Sequence, residues 1–477
     1  MNDTLARLRE MQTADLPVHG GRTLAYVYDS GLPDVDAIGR EAVAAYAGSN
    51  GLDPTAFPSL LQMENDLVGF TANLLDAPAD AVGTVTSGGT ESCLLAVQGA
   101  RDSRPDVERP RMVVPSTVHA AFLKAAHYFG VEAVVVPVGP DFRADADAMI
   151  AAIDEAPERT VLVVVSAPSY AHGVIDPVPP VASAAAERGI RCHVDGCIGG
   201  WVLPYAARIG RDVAPWTFAV EGVTSISVDT HKYAYAPKGT SVLLHRSPAH
   251  RRPQYFAYAA WPGYTMLNST IQSTKSGGPL AGAWAVVQSL GDAGYEQLTR
   301  DVFEAVDRIA AGVAEIPELS LVAQPDSTLI ALVTDGSCDA FTICDEMATR
   351  DWYVQPQMSY AGQPPNIHLS VSAATLAHVD DFLAALAESV AAAVAVGPVG
   401  VDPGVAAFIE TLEPATLSDD DFDGLLAASG LVGGDATDGL ALPDRMAEVN
   451  AMLDIASPAM REALLVAFLD RLARPNR

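Results

Sequence analysis

Short apolar runs rich in β-branched residues alternate with helical stretches through the middle of the chain. Seven runs have the character of buried strands: Val82–Thr86, Met112–Pro115, Ala133–Val138, Thr160–Val165, Arg191–Val194, Val223–Val228 and Thr240–Leu244. This alternation predicts an α/β fold, with a mostly parallel seven-stranded sheet wrapped by helices. In such sheets ligands bind at the carboxyl ends of the strands.

The pattern differs on both sides of this sheet region. Residues 1–58 lack a strand pattern, so we expect an N-terminal arm that lies across another subunit or over the site, followed by a large domain over residues 59–295. Residues 296–396 predict a small α+β domain. Its helices are expected at Gln297–Ile316, Asp339–Arg350 and Leu376–Val394, and its strands at Leu319–Val322, Thr328–Val333 and Ile367–Val371. A linker rich in Pro and Gly then opens an acidic helical extension over residues 397–477, in which we find no chemistry.

Composition narrows the functional classes. A hydrophobic content of 49% is ample for a large core, and a formal charge of −30 argues against binding to nucleic acid or an anionic membrane. The N-terminus has no long apolar core, so neither a signal peptide nor a membrane anchor is expected. No CxxC spacing occurs, so we expect a reducing, cytoplasmic location without a disulfide framework or a metal site. The five cysteines are Cys93, Cys192, Cys197, Cys338 and Cys344.

Lysine is rare in this chain. Of 29 basic residues only four are lysines: Lys124, Lys232, Lys238 and Lys275. A chain that almost always uses Arg keeps Lys where a guanidinium cannot substitute, and forming a Schiff base with a carbonyl is such a task. Lys232 lies in a polar turn between two predicted strands, a rigid mount for a reactive amine. We therefore predict a catalytic role for Lys232.

Three further features follow predicted strands. The run Ser87–Thr90 brings two glycines to the start of a helix, which favours a phosphate, although Gly-Gly is also a common tight turn. Asp195 is suited either to hold a protonated ring nitrogen or to cap a turn. His119 is suited either to stack on a flat ring or to lie half-buried. Together with Lys232 they supply the four contacts that pyridoxal 5'-phosphate (PLP) needs.

At the level of motifs, the chain resembles the PLP-dependent decarboxylases of group II, and most closely the sphingosine phosphate lyases. The resemblance covers roughly Tyr26 to Ala392 and rests on FPSLLQMENDLV, TSGGTES, VVPSTVHAAFLKAAHYFG, SAPSYAHGVIDPV, CHVDGCIGGWVLPY, SVDTHKYAYAPKG and SGGPLAGAWAVVQSLGDAGY. It implies the aspartate aminotransferase-like architecture, fold type I. It also implies a homodimer whose active sites are shared between the subunits.

The resemblance also implies roles for individual residues. Lys232 would bond covalently to the cofactor, His119 would stack on its ring and Asp195 would pair with the ring nitrogen. Gly88, Gly89 and Thr90 would hold the phosphate with His231 beside it, and Lys275 to Gly278 would reach the neighbouring subunit's phosphate. The cofactor-binding candidates are Ser87, Gly88, Gly89, Thr90, His119, Ser166, Asp195, Thr230, His231, Lys232, Ser276 and Gly277.

Two segments depart from the family pattern. The family's Asn-x-Leu-His ends here in Asp53, an acid that would repel a substrate phosphate unless it points away. The family's Gly-Ser-Arg-Ser-Gly carries Lys275 in place of Arg, which keeps the charge but loses the bidentate fork. Tyr28 and Lys238 match family positions near the substrate phosphate. The substrate-binding candidates are therefore Tyr28, Asp53, Lys238 and Lys275.

The leading hypothesis is a PLP-dependent carbon–carbon lyase, an aldehyde-lyase of the sphingosine phosphate lyase type. Its substrate would be a small amine or amino acid, possibly phosphorylated. An amino acid decarboxylase, a carboxy-lyase on the same fold, is nearly equal because Asp53 favours a substrate without that phosphate. Two other hypotheses are an aminotransferase and a non-catalytic relative whose acidic tail binds a partner.

Overall fold

The structure, a computed structural model, describes residues 2–428 and 444–473. The chain forms two compact units. The first comprises Met1–Arg308, Ala323–Ile330 and Ser370–His378, and the second comprises Ile309–Val322, Ala331–Leu369 and Val379–Arg477. Among the described residues, no helix combines the length and the apolar character needed to cross a membrane.

Three helices precede the large sheet: α1 (Asn2–Gln12), α2 (Pro33–Ala45) and α3 (Pro58–Leu74). Helices α2 and α3 each begin at a proline, whose fixed φ suits the first helical position. Helix α2 packs on the first unit of its own chain: a Cβ on Gly39 would lie 3.1 Å from Pro237, and one on Gly282 would lie 2.8 Å from Val43. Residues 33–45 of the predicted arm therefore belong to the first unit's packing.

The large sheet contains the seven predicted strands, each within two residues of its expected bounds. They pair in the order β1-β7-β6-β5-β4-β2-β3. The five strands β2 to β6 run parallel, and β7 is antiparallel to both of its neighbours. The predicted α/β fold with a mostly parallel sheet is confirmed. The strands are β1 (Val82–Thr86), β2 (Arg111–Pro115), β3 (Glu132–Val136), β4 (Thr160–Ser166), β5 (Arg191–Asp195), β6 (Val223–Asp229) and β7 (Ser241–His245).

Helices connect these strands and cover them. Strands β2 and β4 are buried at every position, which explains the apolar residues at their centres. A core cluster joins these two strands to the helices that follow β1 and β2, with Val97, Phe122 and Val164 at its centre. The connecting helices are α4 (Gly89–Asp102), α5 (Ala120–Phe129), α6 (Ala146–Asp154), α7 (Val178–Glu187) and α8 (Leu203–Arg208).

The segment after β7 differs from the sequence prediction. It contains the short helix α9 (Pro248–Arg251), a hairpin of β8 (Phe256–Tyr258) and β9 (Met266–Asn268), and the long helix α10 (Gly277–Val313). The hairpin was missed because its strands are three residues long and largely exposed, so they carry no buried apolar run. Helix α10 is kinked at Gly291, whose φ of 55° favours glycine. The predicted helix Gln297–Ile316 is its second half.

A four-stranded sheet has the order β10-β11-β13-β12. Its strands are β10 (Leu319–Leu321), β11 (Leu329–Thr334), β12 (Gln355–Gln357) and β13 (Asn366–Ser370), and its helices are α11 (Ala340–Ala348) and α12 (Val379–Val396). The sequence predicted all of these except β12. That strand reads Gln-Pro-Gln and has no apolar residue to mark it.

The C-terminal helices belong to the second unit. They are α13 (Pro403–Thr411), α14 (Asp419–Ala428), α15 (Ala447–Ile455) and α16 (Pro458–Leu472). They bury a small core of their own around Phe422, Leu425 and Met452. The carboxylate of Asp345 in α11 accepts hydrogen bonds from the first residues of α15. Residues 429–443 and 474–477 of the predicted extension lie outside the described residues.

Candidate active site

A cavity of about 380 Å³ lies in the first unit at the carboxyl ends of several strands of the large sheet. Eight predicted site residues line it: Ser87, Gly88, Gly89, Thr90, His119, Asp195, His231 and Lys232. Because these residues follow β1, β2, β5 and β6, the direction of the parallel strands is what gathers them. Residues that sequence reasoning did not select complete the wall: Glu91, Cys93, Pro168, Tyr170, Cys197, Ile198 and Asp229.

Lys232 forms an ion pair with Asp229, the last residue of β6. The Nζ and Oδ2 atoms are 2.9 Å apart, and the side chains are 18% and 2% exposed. Burial alone would lower the pKa of Lys232, but the Asp229 carboxylate holds it well above its ordinary value. Burial likewise would raise the pKa of Asp229, but the charge of Lys232 brings it below its ordinary value. Each group therefore keeps the other ionised.

The N-terminus of α4 opens onto the cavity. Gly88 is its N-cap residue, and within the described part of the chain no side chain caps this helix end. Glu91 instead reaches back to the backbone N–H of Ser87, at 2.6 Å. A Cβ on Gly89 would lie 2.7 Å from the carboxylate oxygens of Asp229. The backbone of α4 therefore lies directly against the ion pair, and its uncapped N–H groups are suited to an anion.

Asp195 ends β5 beside the same cavity and is 8% exposed. Its Oδ1 accepts a hydrogen bond of 3.1 Å from the backbone N–H of Cys197. In the same strand, His193 lies between the hydroxyls of Ser225 and Ser227 at 2.9 and 3.1 Å. Burial lowers the pKa of His193 to about 4, so a neutral imidazole supports the strand beneath Asp195.

His119 lies at the mouth of the cavity and is exposed. It is the N-cap of α5: its Nδ1 accepts a hydrogen bond of 3.2 Å from the N–H of Ala121. This contact orients the ring and, in the neutral imidazole, places the proton on Nε2. The ring stands edge-on to Tyr170, with 6.3 Å between the ring centroids. Burial raises the pKa of the Tyr170 hydroxyl to about 12, which keeps it protonated.

Two residues that were predicted to bind the cofactor lie outside the cavity wall and hold neighbouring segments in place. The Thr230 hydroxyl donates a hydrogen bond to the carbonyl of Thr240, which closes the turn that carries Lys232. The backbone N–H of Ser166 donates to the carboxylate of Asp176 at 2.8 Å. Neither Thr230 nor Ser166 lines the described cavity.

Tyr28 and Lys238 come together next to the ion pair. The Lys238 ammonium lies 4.9 Å from the centroid of the Tyr28 ring and donates to the carbonyl of Tyr26 at 2.9 Å. Lys238 is exposed, and partial burial together with the charge of Lys232 lowers its pKa to about 8. Lys238 is therefore a cation that loses its charge slightly above neutral pH.

The remaining four candidates lie away from this cavity in the single chain. Lys275 binds the Glu64 carboxylate at 2.8 Å and the carbonyl of Val85 at 2.9 Å. Ser276 lines a separate small cavity with Lys275, and Gly277 donates its N–H to the carbonyl of Ser49. Asp53 is exposed and accepts two hydrogen bonds from Thr55, which hold its pKa below the ordinary value. Its carboxylate is therefore engaged in a local turn.

The residues around the cavity fit PLP. The uncapped end of α4 suits a phosphate, the exposed face of His119 suits a flat ring, and Asp195 suits a protonated ring nitrogen. The amine of Lys232 suits the aldehyde. Of the residues that were missed, Asp229 had a signal in the sequence, because it is an acid at a predicted strand end in the same turn as Lys232. Cys93, Cys197 and Tyr170 had none.

Comparison with known proteins agrees with this arrangement. A sphingosine-1-phosphate lyase from Arabidopsis thaliana is 40% identical over 358 residues, 73% of this chain and 64% of that protein. A solved sphingosine-1-phosphate lyase from Burkholderia pseudomallei superimposes with a TM-score of 0.77 at 34% identity, over 83% of this chain and 91% of that one. A probable L-aspartate decarboxylase from Pyrococcus furiosus is 27% identical over 75% of this chain and 93% of that protein.

The chain spans slightly less than two thirds of the length of the plant, slime mould and rat lyases that it matches. Residues 403–471 match a C-terminal domain of pyridoxal-dependent enzymes with a conjectured helix-turn-helix (HTH) fold. Residues 24–334, more than half of the sequence, match the conserved domain of pyridoxal-dependent decarboxylases. This chain therefore belongs to the pyridoxal-dependent decarboxylase family.

Proposed function

We propose that the protein is a PLP-dependent carbon–carbon lyase that cleaves a 2-amino-3-hydroxy compound to an aldehyde and an amine. The observation that carries the proposal is the Asp229–Lys232 ion pair on the wall of a cavity that also presents Asp195, His119 and the open end of α4. Such a set is suited to holding one cofactor by four different groups. The 40% identity to a sphingosine-1-phosphate lyase supports the aldehyde-lyase branch.

When bound in this cavity, PLP would withdraw electrons from the bond that breaks at the α-carbon of the substrate. The residues of the chain would bind and orient the cofactor. The N–H groups at the start of α4 would hold the phosphate, and Asp195 would accept the ring N–H. His119 would cover one face of the ring, and its N-cap hydrogen bond orients the imidazole for that contact. Asp229 sets the protonation state of the Lys232 amine through their contact.

The substrate proposed here carries a phosphate or another anionic group. Lys238 and Tyr28 support it, because a cation on an aromatic ring lies close to Lys232 without forming an ion pair of its own in the described structure. Asp53 does not oppose it, since its carboxylate is held in a turn by Thr55. Lys275 contributes less to this proposal because Glu64 already neutralises it.

We also propose a homodimer in the cytoplasm. The exposed hairpin β8–β9 supports an interface, because Phe256, Tyr258 and Leu267 each expose about half of their surface or more. Five free and buried cysteines are consistent with a reducing compartment. Sedimentation of the purified protein tests the assembly: a monomer at micromolar concentration would contradict it.

An amino acid decarboxylase is the second candidate. It is favoured by the match to the archaeal probable aspartate decarboxylase, of which this chain covers 93%. It is also favoured by Lys275, whose charge is used within the chain by Glu64 rather than left for a phosphate.

Product analysis separates the two candidates. The holoprotein would be incubated with sphingosine 1-phosphate, with its unphosphorylated form and with a panel of amino acids, and both aldehyde and carbon dioxide would be measured. We expect a long-chain aldehyde from the phosphorylated base and little carbon dioxide from any amino acid. Carbon dioxide release without aldehyde would overturn the lyase proposal. The Lys232→Ala variant, which lacks the reactive amine, is the matched control for both readouts.

A further inference from the structure

Cys93, Asp195 and Cys197 bring three potential metal ligands together on the wall of the cavity. One ligand atom from each residue, two sulfurs and one oxygen, lies within 4.8 Å of the other two. The residues are 1%, 8% and 6% exposed. In a tetrahedral zinc site with Zn–S bonds of about 2.3 Å, neighbouring ligand atoms are roughly 3.5 to 4 Å apart. Small side-chain adjustments would therefore bring these three atoms onto one cation.

The surrounding contacts hold the cluster in place. The backbone N–H of Cys197 donates to Oδ1 of Asp195, and its thiol donates to the Ser227 hydroxyl at 3.3 Å. Ser227 is itself held by His193 at 3.1 Å. Cys93 lies on helix α4 and Asp195 ends a central strand, so both come from rigid elements. Supporting contacts of this kind orient metal ligands in proteins.

We propose that Cys93, Asp195 and Cys197 bind a thiophilic divalent cation, such as Zn²⁺ or Cd²⁺, when PLP is absent, and that this cation competes with PLP for the cavity. Two sulfurs and one carboxylate oxygen are a typical donor set for such ions, and the cavity leaves the fourth position to water. The competition rests on the role proposed for Asp195 toward the ring nitrogen. The binding of the cation does not.

Charge favours a cation over a disulfide at this position. The contact with Cys93, burial and nearby carboxylates raise the pKa of Cys197 well above its ordinary value. The contact with Cys197 lowers the pKa of Cys93, but burial and the carboxylates of Asp195 and Asp229 raise it by more. Thiols of this kind are poor nucleophiles toward an oxidant. A divalent cation supplies the missing positive charge and deprotonates them, so its affinity should increase with pH.

Sequence spacing did not predict this cluster. Cys93 and Cys197 lie on different elements far apart in the chain, and no CxxC-type pair marks them. The fold alone places the N-terminal part of α4 beside the end of β5, where the two thiols meet.

Titration of the full-length apoprotein with Cd²⁺ tests the proposal. Binding would be followed by calorimetry and by the ultraviolet absorption of the thiolate–cadmium bond. We expect one cation per chain, with affinity that falls by more than about 100-fold in Cys93→Ser, beyond the range seen when residues that only support a ligand are changed. Cys192→Ser, another buried cysteine, is the matched control and should bind as the wild type does. The described residues contain a second group of potential ligands, His19, Asp29 and Asp36. His19→Ala removes one of these three ligands, so it shows whether that group contributes to the binding.

The same proteins then receive PLP, and its uptake is followed by absorbance. We expect bound Cd²⁺ to slow PLP uptake at least tenfold in the wild type and not in Cys93→Ser. The proposal is overturned if no thiolate–cadmium band forms, or if Cys93→Ser binds Cd²⁺ as tightly as the wild type. Unimpeded PLP uptake by the cadmium-loaded protein would overturn the competition and, with it, the role of Asp195. Should Cys93→Ser not fold by circular dichroism, Cys93→Ala makes the same test.

Discussion

Asp229 Oδ2 lies 2.9 Å from Lys232 Nζ, and Gly89 at the start of α4 lies against the same carboxylate. One buried acid therefore connects the Lys232 amine with the start of α4. Its position at the end of β6 fixes both contacts, because the strand is buried and paired on both sides. Substitutions on either side of this carboxylate should therefore affect both the ion pair and the binding of PLP.

Asp229→Asn should destabilise the apoprotein by about 3–5 kcal/mol at pH 7, because it leaves a buried ammonium without its partner. The double variant with Lys232→Met should recover much of this loss, since it removes the unpaired charge as well. Urea unfolding of the wild type, the two single variants and the double variant measures the coupling free energy between the two side chains. Because the folded-state pKa of Asp229 is depressed, the difference from wild type should shrink as the pH falls below about 3.9. Purely additive losses would contradict the ion pair.

Asp229→Asn should also shift the pH dependence of PLP uptake to lower pH. Lys232 must lose a proton before it attacks an aldehyde. The Asp229 carboxylate keeps the pKa of Lys232 well above the ordinary value. Without that carboxylate a larger fraction of the amine is neutral at pH 7. The rate of uptake, normalised to each protein's limit at high pH, measures the shift. Asp147→Asn changes an exposed acid and should leave the profile in place; an unchanged profile in Asp229→Asn would contradict this role.

Gly89→Ala should weaken PLP binding by more than about tenfold, the equivalent of 1.4 kcal/mol. Its Cβ would lie 2.7 Å from the Asp229 carboxylate, so either the ion pair or the helix end must move. Gly69→Ala is the matched control: Gly69 lies in α3, and a Cβ added there would have no heavy atom within 4 Å among the described residues. That change should leave PLP affinity unchanged and add roughly 0.5–1 kcal/mol of stability. Equilibrium dialysis and thermal unfolding report both quantities.

The large sheet was predictable because most of its strands are buried on both faces and so read as short apolar runs. The direction of those strands was also enough to place Lys232, Asp195 and Ser87–Thr90 at one edge. The features that the sequence did not predict depend on tertiary contacts. The exposed hairpin β8–β9 has no apolar run, and the meeting of Cys93 with Cys197 depends on how α4 packs beside β5. Likewise, nothing in the sequence around Lys275 indicates that Glu64 neutralises it.

Lys238→Met should raise the KM for a phosphorylated substrate by about tenfold or more at pH 7 and change kcat little, because a charge-assisted contact contributes about 1.5–3 kcal/mol. The pKa of Lys238 is lowered to about 8, so its positive charge is present at pH 7 and is lost as the pH rises through 8. The KM of the wild type should therefore rise across this range, and that of Lys238→Met should not. Lys124→Met, which changes an exposed lysine on α5, is the control. Equal KM values for Lys238→Met and wild type would exclude an anion at Lys238.

His119 combines two roles that substitution can separate, since its Nδ1 caps α5 and its exposed ring faces the cavity mouth. His119→Asn keeps a capping side chain but removes the ring, so it should retain stability and lose PLP affinity. His119→Phe keeps a flat ring but removes the cap, so it should lose about 1 kcal/mol of stability and retain most of the affinity. Thermal unfolding of the apoproteins and PLP titration give the two readouts. Loss of affinity in both variants to the same degree would show that the imidazole itself, rather than a flat ring, is what the cofactor requires.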